Sequence, residues 1–174
     1  MASLPTLTRM RELQAQQDNL YHRDVSNLPD REKLRHYVFH FVKYAAGLTS
    51  EGFAERPIEK TLADTIIIAL AMANVLERYD LEAFVLQLSN EEKKDGENHI
   101  TVEYLKEQII YQIGKMAKVS EGHDHMEQLN YRSEYANANG KIISAVMSYA
   151  NQNGIDLLRL VQNRWNFIRD NKVA

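Results

Sequence analysis

The sequence predicts an all-α fold, on three observations. Leu, Ile, Ala and Val dominate a chain of 174 residues that holds only seven Gly and three Pro, a balance that favours helix over a turn-rich β fold. The stretch Thr65-Ile66-Ile67-Ile68-Ala69-Leu70-Ala71-Met72-Ala73 is apolar on every side of a helix, as a buried helix must be. A helix–loop–helix pattern also occurs twice. Ile66-Ile67 through Asp80-Leu81 to Val85 aligns without a gap on Ile142-Ile143 through Asp156-Leu157 to Val161, an offset of 142 − 66 = 76. Upstream, His36 through Ala45 aligns on Gln108 through Ala117, an offset of 108 − 36 = 72. Two such hairpins can bury each other's apolar faces as a four-helix bundle, with any site between the copies.

In chain order, Leu4, Leu7, Met10 and Leu13 recur at three-residue spacing in a charged, Gln-rich stretch. This reads as an amphipathic arm for packing on the bundle or on a second subunit. Residues 22–29 read as a linker, ended by the helix-start signals Asn27 and Pro29, with Asp30 and Glu32 favourable in a first turn. Helices are then expected over 30–47 and 58–78, separated by a loop at 49–57. Asp80 is expected to cap a short helix over 81–88. A charged connector, 91–99, leads to a helix over 100–119. After a polar loop at 120–130 come helices over 131–152 and 156–169, with Gly154 stopping the first of them. Residues 1–29 are thus an arm and linker, and 30–174 a single helical-bundle domain with repeat units at about 30–90 and 100–170.

Composition narrows the functional classes. The net charge is 21 − 24 = −3 with no basic block, which disfavours nucleic acid as the main ligand. The absence of Cys excludes disulfides and thiolate–metal sites. The first 17 residues hold no apolar h-region, and the apolar uncharged run 65–76 is shorter than the roughly 20 residues of a membrane span. The expectation is a cytoplasmic protein with no membrane partner. A homo-oligomer is expected, the arm and the last helix being the available pairing surfaces.

The 30–47 helix has its polar residues in an unusual place. His36, His40, Lys43 and Gly47 fall within about 60° of one another on a wheel, while nearly everything else from Leu34 to Leu48 is apolar. The 100–119 helix repeats the design with Gln108, Gln112 and Lys115, so both His positions become Gln and the Lys is kept. Either the two seams face a shared cleft, or each is the only solvated side of its helix. Asp64 is the only charge between Lys60 and Glu77. An isolated buried charge is very costly, so Asp64 is a metal ligand, a partner of Lys43, or a solvated first-turn acid.

These residues carry a resemblance. Thr61-Leu62-Ala63-Asp64, the apolar run and Tyr79-Asp80-Leu81-Glu82 resemble the second core helix of the MazG-like, all-α nucleoside triphosphate pyrophosphohydrolases; Asn153-Gly154-Ile155-Asp156-Leu157 is similar to the turn that follows it. The resemblance covers about 34–169. It implies a MazG-like bundle of two tandem helix–loop–helix units and hydrolysis between the α and β phosphates of a nucleoside triphosphate. In that family Mg²⁺ is held by Glu-x-x-Glu on one helix and Glu-x-x-Asp on the next, hard oxygen ligands suited to a hard ion. Here the first pair of positions holds His40 and Lys43, then Gln112 and Lys115; the second holds Thr61 and Asp64, then Asn137 and Gly140. Only Asp64 remains as a metal ligand for Mg²⁺. Lys43, Lys115, His36, His40 and Gln112 become candidates for binding phosphate or another part of a substrate.

Other acids and histidines read mainly as solvated. Glu51, Glu55 and Glu59 are spaced by four, but Pro57 interrupts a continuous helix through them. His123 and His125, within the cluster Glu121 to Glu127, are two apart and so do not share a helix face, though a loop would let them chelate. Trp165 reads as packing or dimer contact. There is no Gly-rich phosphate loop, nucleophile elbow or paired metal-binding His on a helix. Two functions remain: a divergent nucleotide pyrophosphohydrolase, or a non-catalytic bundle that binds a nucleotide, another small anion or a partner. Replacing Glu by Lys trades metal binding for direct anion binding, since an ammonium offers three donors and a positive charge.

Overall fold

The computed structural model describes residues 6–49, 56–92 and 100–172, and among them the chain forms helices and no strand. The helices are α1 (Leu7–Tyr21), the single turn α2 (Arg23–Ser26), α3 (Asp30–Gly47), α4 (Ile58–Val75), α5 (Leu81–Glu92), α6 (Val102–Asp124), α7 (Tyr131–Gln152) and α8 (Leu157–Lys172). None is long and apolar enough to cross a membrane.

Local chemistry sets the helix starts. Pro29 and Pro57 are the N-cap residues of α3 and α4, with φ of −56° and −55°. The orphan N–H groups of other first turns find side chains. Thr6 accepts from Arg9 N–H at 3.3 Å, Thr101 from Tyr104 at 3.1 Å, Asn130 from Ser133 at 3.2 Å and Asp156 from Arg159 at 3.0 Å. Asp80 stands at the N-cap position of α5: its backbone carbonyl accepts from Phe84 N–H, while its carboxylate pairs with Arg78 at 2.9 Å.

The helix predicted over 58–78 ends earlier, at Val75, and Glu77 takes a positive φ of 57° to turn the chain toward α5. The helix predicted over 100–119 instead runs on to Asp124, taking in half of the expected 120–130 loop. Asp124 pairs there with Arg31 and Arg35 of α3, His123 stacks on Tyr131 at 4.3 Å, and Met126 at φ 55° makes the turn. Tertiary contacts on the Glu121–Asp124 turn thus override its polar composition.

Helices α4 and α7 form the centre. Helix α4 packs against α3, α7, α8 and α1; α7 packs against α6, α4 and α5; α3 also packs on α6. On α4 every residue from Thr61 to Ala73 except Ile68 is buried, because neighbours cover all its sides. Asn139 of α7, 1% exposed, donates from Nδ2 to the Ala69 carbonyl of α4 at 2.9 Å. Where α7 meets α5, a methyl on Gly140 would lie 2.6 Å from Leu88 Cδ1 and 2.8 Å from Phe84 Cε1. Only a residue without Cβ lets these helices come so close.

The N-terminal arm docks on this bundle, against α4, α5 and α8. Arg11 Nη1 donates to Asn74 Oδ1 at 2.7 Å, and Asn74 Nδ2 returns a bond to the Arg11 carbonyl at 3.0 Å. The indole N–H of Trp165 on α8 donates to buried Gln14 Oε1 at 2.7 Å, while Gln14 Nε2 donates to Asp18 Oδ1 at 2.8 Å. Burial pushes the Asp18 carboxyl up to about 6, against the pull of the Gln14 hydrogen bond. Its folded value lies above its unfolded one, so the folded state binds more protons between about pH 4 and 6, and stability falls as pH rises through that window. Asp18→Asn keeps an oxygen for Gln14 and removes the charge. The variant is expected to be about 1–2 kcal/mol more stable than the parent at pH 7 and equal to it near pH 4. Urea unfolding at both pH values checks this; an unchanged difference across the window contradicts it.

Candidate functional site

Helical spacing gathers the first group of candidate residues on α3. His36 and His40 stand one turn apart, ring centroids 4.6 Å and Nε2 atoms 3.1 Å from each other. His40 Nδ1 lies 2.9 Å from the Tyr44 hydroxyl and 3.4 Å from Lys43 Nζ. Burial raises the Tyr44 phenol, reinforced by the charge of Asp64, so its O–H stays protonated. Both groups facing Nδ1 are therefore donors. The His40 proton then sits on Nε2 and is given to His36 Nε2, forming a chain Tyr44 to His40 to His36. Burial lowers His40 to about 4, helped by Lys43, His36, His22 and Arg56, and the ring is neutral at pH 7.

The floor of this site is Asp64, 5% exposed on α4. Arg56, from the segment entering α4, binds Asp64 Oδ2, and Arg164 Nε, from α8, donates to Asp64 Oδ1 at 2.7 Å. Arg56 and Lys43 also lie over the Tyr44 ring, 5.0 and 5.1 Å from its centroid, positions that suit a cation–π attraction. Lys43 is solvent-exposed, and its ammonium is lowered first by desolvation and then by Arg56, with Asp64 pulling the other way. Three cations surround one carboxylate, so with neutral His40 these four groups carry +3 − 1 = +2. Asp64 is thus the partner of two arginines, and it reaches Lys43 through charge alone.

These residues do not fit Mg²⁺. Both Asp64 oxygens already accept from guanidinium groups, and the surrounding nitrogens of Lys43, Arg56 and Arg164 are cationic donors with no lone pair to give. Among the described residues no group of three or more His, Asp or Glu comes together as a metal site. Glu51 and Glu55 lie outside the described residues. Glu59, Glu103 and Glu107 are exposed on their helices, and His123 is committed to Tyr131.

Gln112 and Lys115 lie elsewhere. They line a cavity of about 370 Å³ between α5, α6 and α7, together with Phe84, Gln87, Leu88, Glu134, Asn137, Ala138 and Lys141. No α3 residue lines it, so the two polar seams do not share this cavity. Gln112 is 2% exposed and its Oε1 has no hydrogen-bond partner. An unsatisfied buried acceptor costs about 1–3 kcal/mol.

Arg56 and Arg164 are functional-site residues that the sequence reading missed. Arg164 carried a signal: it stands in the apolar stripe Leu157, Leu160, Val161, Trp165 and Ile168, where a charge has to find a buried partner. Arg56 lies before a proline outside any periodic segment and had none. Comparison with known proteins adds no relative: no family model, curated protein or solved structure matches the chain.

Two outcomes test this geometry. The His40 ring resonances are expected to hold still in an NMR titration from pH 8 to 5.5 and to move only as pH approaches 4; a midpoint near 6.5 contradicts the buried hydrogen-bonded chain. Arg164→Met keeps the aliphatic packing but halves the pairing of a buried carboxylate, and is expected to cost about 1–3 kcal/mol in urea unfolding. Arg164→Met with Asp64→Asn is expected to recover part of that loss, and no recovery contradicts direct coupling.

Proposed function

We propose that this chain is a MazG-like bundle of two tandem helix–loop–helix units. In this reading it binds a nucleotide, or a closely related phosphorylated anion, at the Lys43–Arg56–Arg164 centre and does not cleave it by carboxylate-held Mg²⁺. The observation that carries the reading is the net positive centre around Asp64, in which Lys43 stands where the resembled family places an acid. Four charges of which three are cations attract a polyphosphate directly, and Lys43 is exposed to meet it. The neutral imidazoles of the chain add a polar wall that both accepts and donates.

The helix contacts support the tandem reading. Helix α3 packs on α4 as α6 packs on α7; α4 meets α7, and α3 meets α6. The third helices are exchanged, α8 lying on α4 and α5 on α7. That is the arrangement expected when neither unit can bury its second helix alone.

Equilibrium binding across a panel of ribo- and deoxynucleoside triphosphates, with pyrophosphate release measured in parallel, tests the proposal. The expected result is salt-sensitive binding without release. Lys43→Ala should weaken binding about tenfold, the loss of one charge-assisted contact. Absence of binding refutes the anion reading. Mg²⁺-dependent release that Asp64→Ala abolishes would establish the hydrolase reading instead.

A further inference from the structure

We infer that the cavity between α5, α6 and α7 is a second binding site, separate from the Asp64 centre, for a small organic anion that also carries a hydrogen-bond donor. Its volume of about 370 Å³ falls at the lower end of the roughly 300–1,000 Å³ typical of ligand pockets, and is generous for a bare inorganic ion. The lining divides by chemistry. Phe84, Leu88 and Ala138 make an apolar wall; Gln112 and Asn137 supply amides; Lys115, Lys141 and Glu134 are the charged residues of the described lining. The exposed ammonium of Lys115 suits one anionic group on the ligand.

Gln112 supplies the second requirement. A buried amide oxygen with no partner needs a donor, and the nearby Lys115 ammonium is placed over the Tyr111 ring, 4.8 Å from its centroid. A hydroxyl or amide N–H on the ligand meets this need, while a phosphate or carboxylate group meets Lys115. Inorganic sulfate, which has no O–H at neutral pH, offers only the second interaction.

At the sequence offset of 76, Asp64 corresponds to Gly140 and Arg164 to Leu88. Gly140 and Leu88 touch, as Asp64 and Arg164 do, but without charge. The ion pair that fills one end of the molecule is replaced here by an apolar contact, and Lys115 keeps its charge with no Asp at the corresponding position.

The test is an ¹⁵N NMR titration of the full chain with four probes: sn-glycerol 3-phosphate, L-lactate, inorganic sulfate and glycerol. Saturable shifts of the Gln112 side-chain amide are expected with sn-glycerol 3-phosphate, L-lactate or both, and which of them binds tells a phosphomonoester from a carboxylate ligand. Gln112→Leu, which sacrifices no hydrogen bond at Oε1, and Lys115→Ala, at an exposed position, should each weaken binding about tenfold. Lys43→Ala should leave it unchanged, so this site and the Asp64 centre succeed or fail separately. No saturable shift with any probe overturns the inference. So does sulfate binding as well as the donor-bearing anions, or binding untouched in Lys115→Ala. Should Gln112→Leu not fold, Lys115→Ala decides alone.

Discussion

The interior of this bundle is organised around one buried carboxylate. Taking such a group out of water costs on the order of 20 kcal/mol in the idealised limit and several kcal/mol in a relaxed protein. Two guanidinium groups offset that cost at Asp64: Arg56 from the approach to α4, and Arg164 from a helix 100 residues later in the chain. A pair of cations is more than neutralisation requires, and the surplus charge is what Lys43 meets at the surface. The constraint therefore works in both directions. The carboxylate fixes where α8 lies on α4, and its two partners make the surrounding surface cationic.

Where α5 packs on α7 the contact is made without charge. Gly140 lets α7 and α5 approach until a methyl group would overlap Leu88 and Phe84. The ionic and apolar contacts have different surroundings. Beside the ionic one lies net charge, with an aromatic ring and two imidazoles. Leu88 of the apolar one also lines a cavity whose polar lining includes a buried amide oxygen without a partner.

Much of the helical architecture was legible because helix burial is written in periodicity. The apolar run on α4 locates that element from the sequence alone. Element ends were less legible where tertiary contacts decide them, as at Asp124, where two arginines of α3 extend α6. The candidate site was half legible. His36, His40 and Lys43 share a face by helical spacing, so the wheel finds them. Arg56 and Arg164 reach the same carboxylate from distant parts of the chain, and only the packing of α8 on α4 brings them there. Gln112 and Lys115 of α6 line a cavity with residues of α5 and α7, an arrangement that no single-helix pattern contains.

The neutral state of His40 follows from the same electrostatics. A protonated imidazole would add charge to a site that already holds Lys43, Arg56 and Arg164 against one acid, and burial removes the water that would screen it. The ring instead accepts at Nδ1 and donates at Nε2, so polarity passes along α3 without net charge. Acids at His40 and Lys43, as in the resembled pattern, would bring new negative charge beside Asp64 and call for a bound cation. With His and Lys in those places, the positive charge is built into the chain.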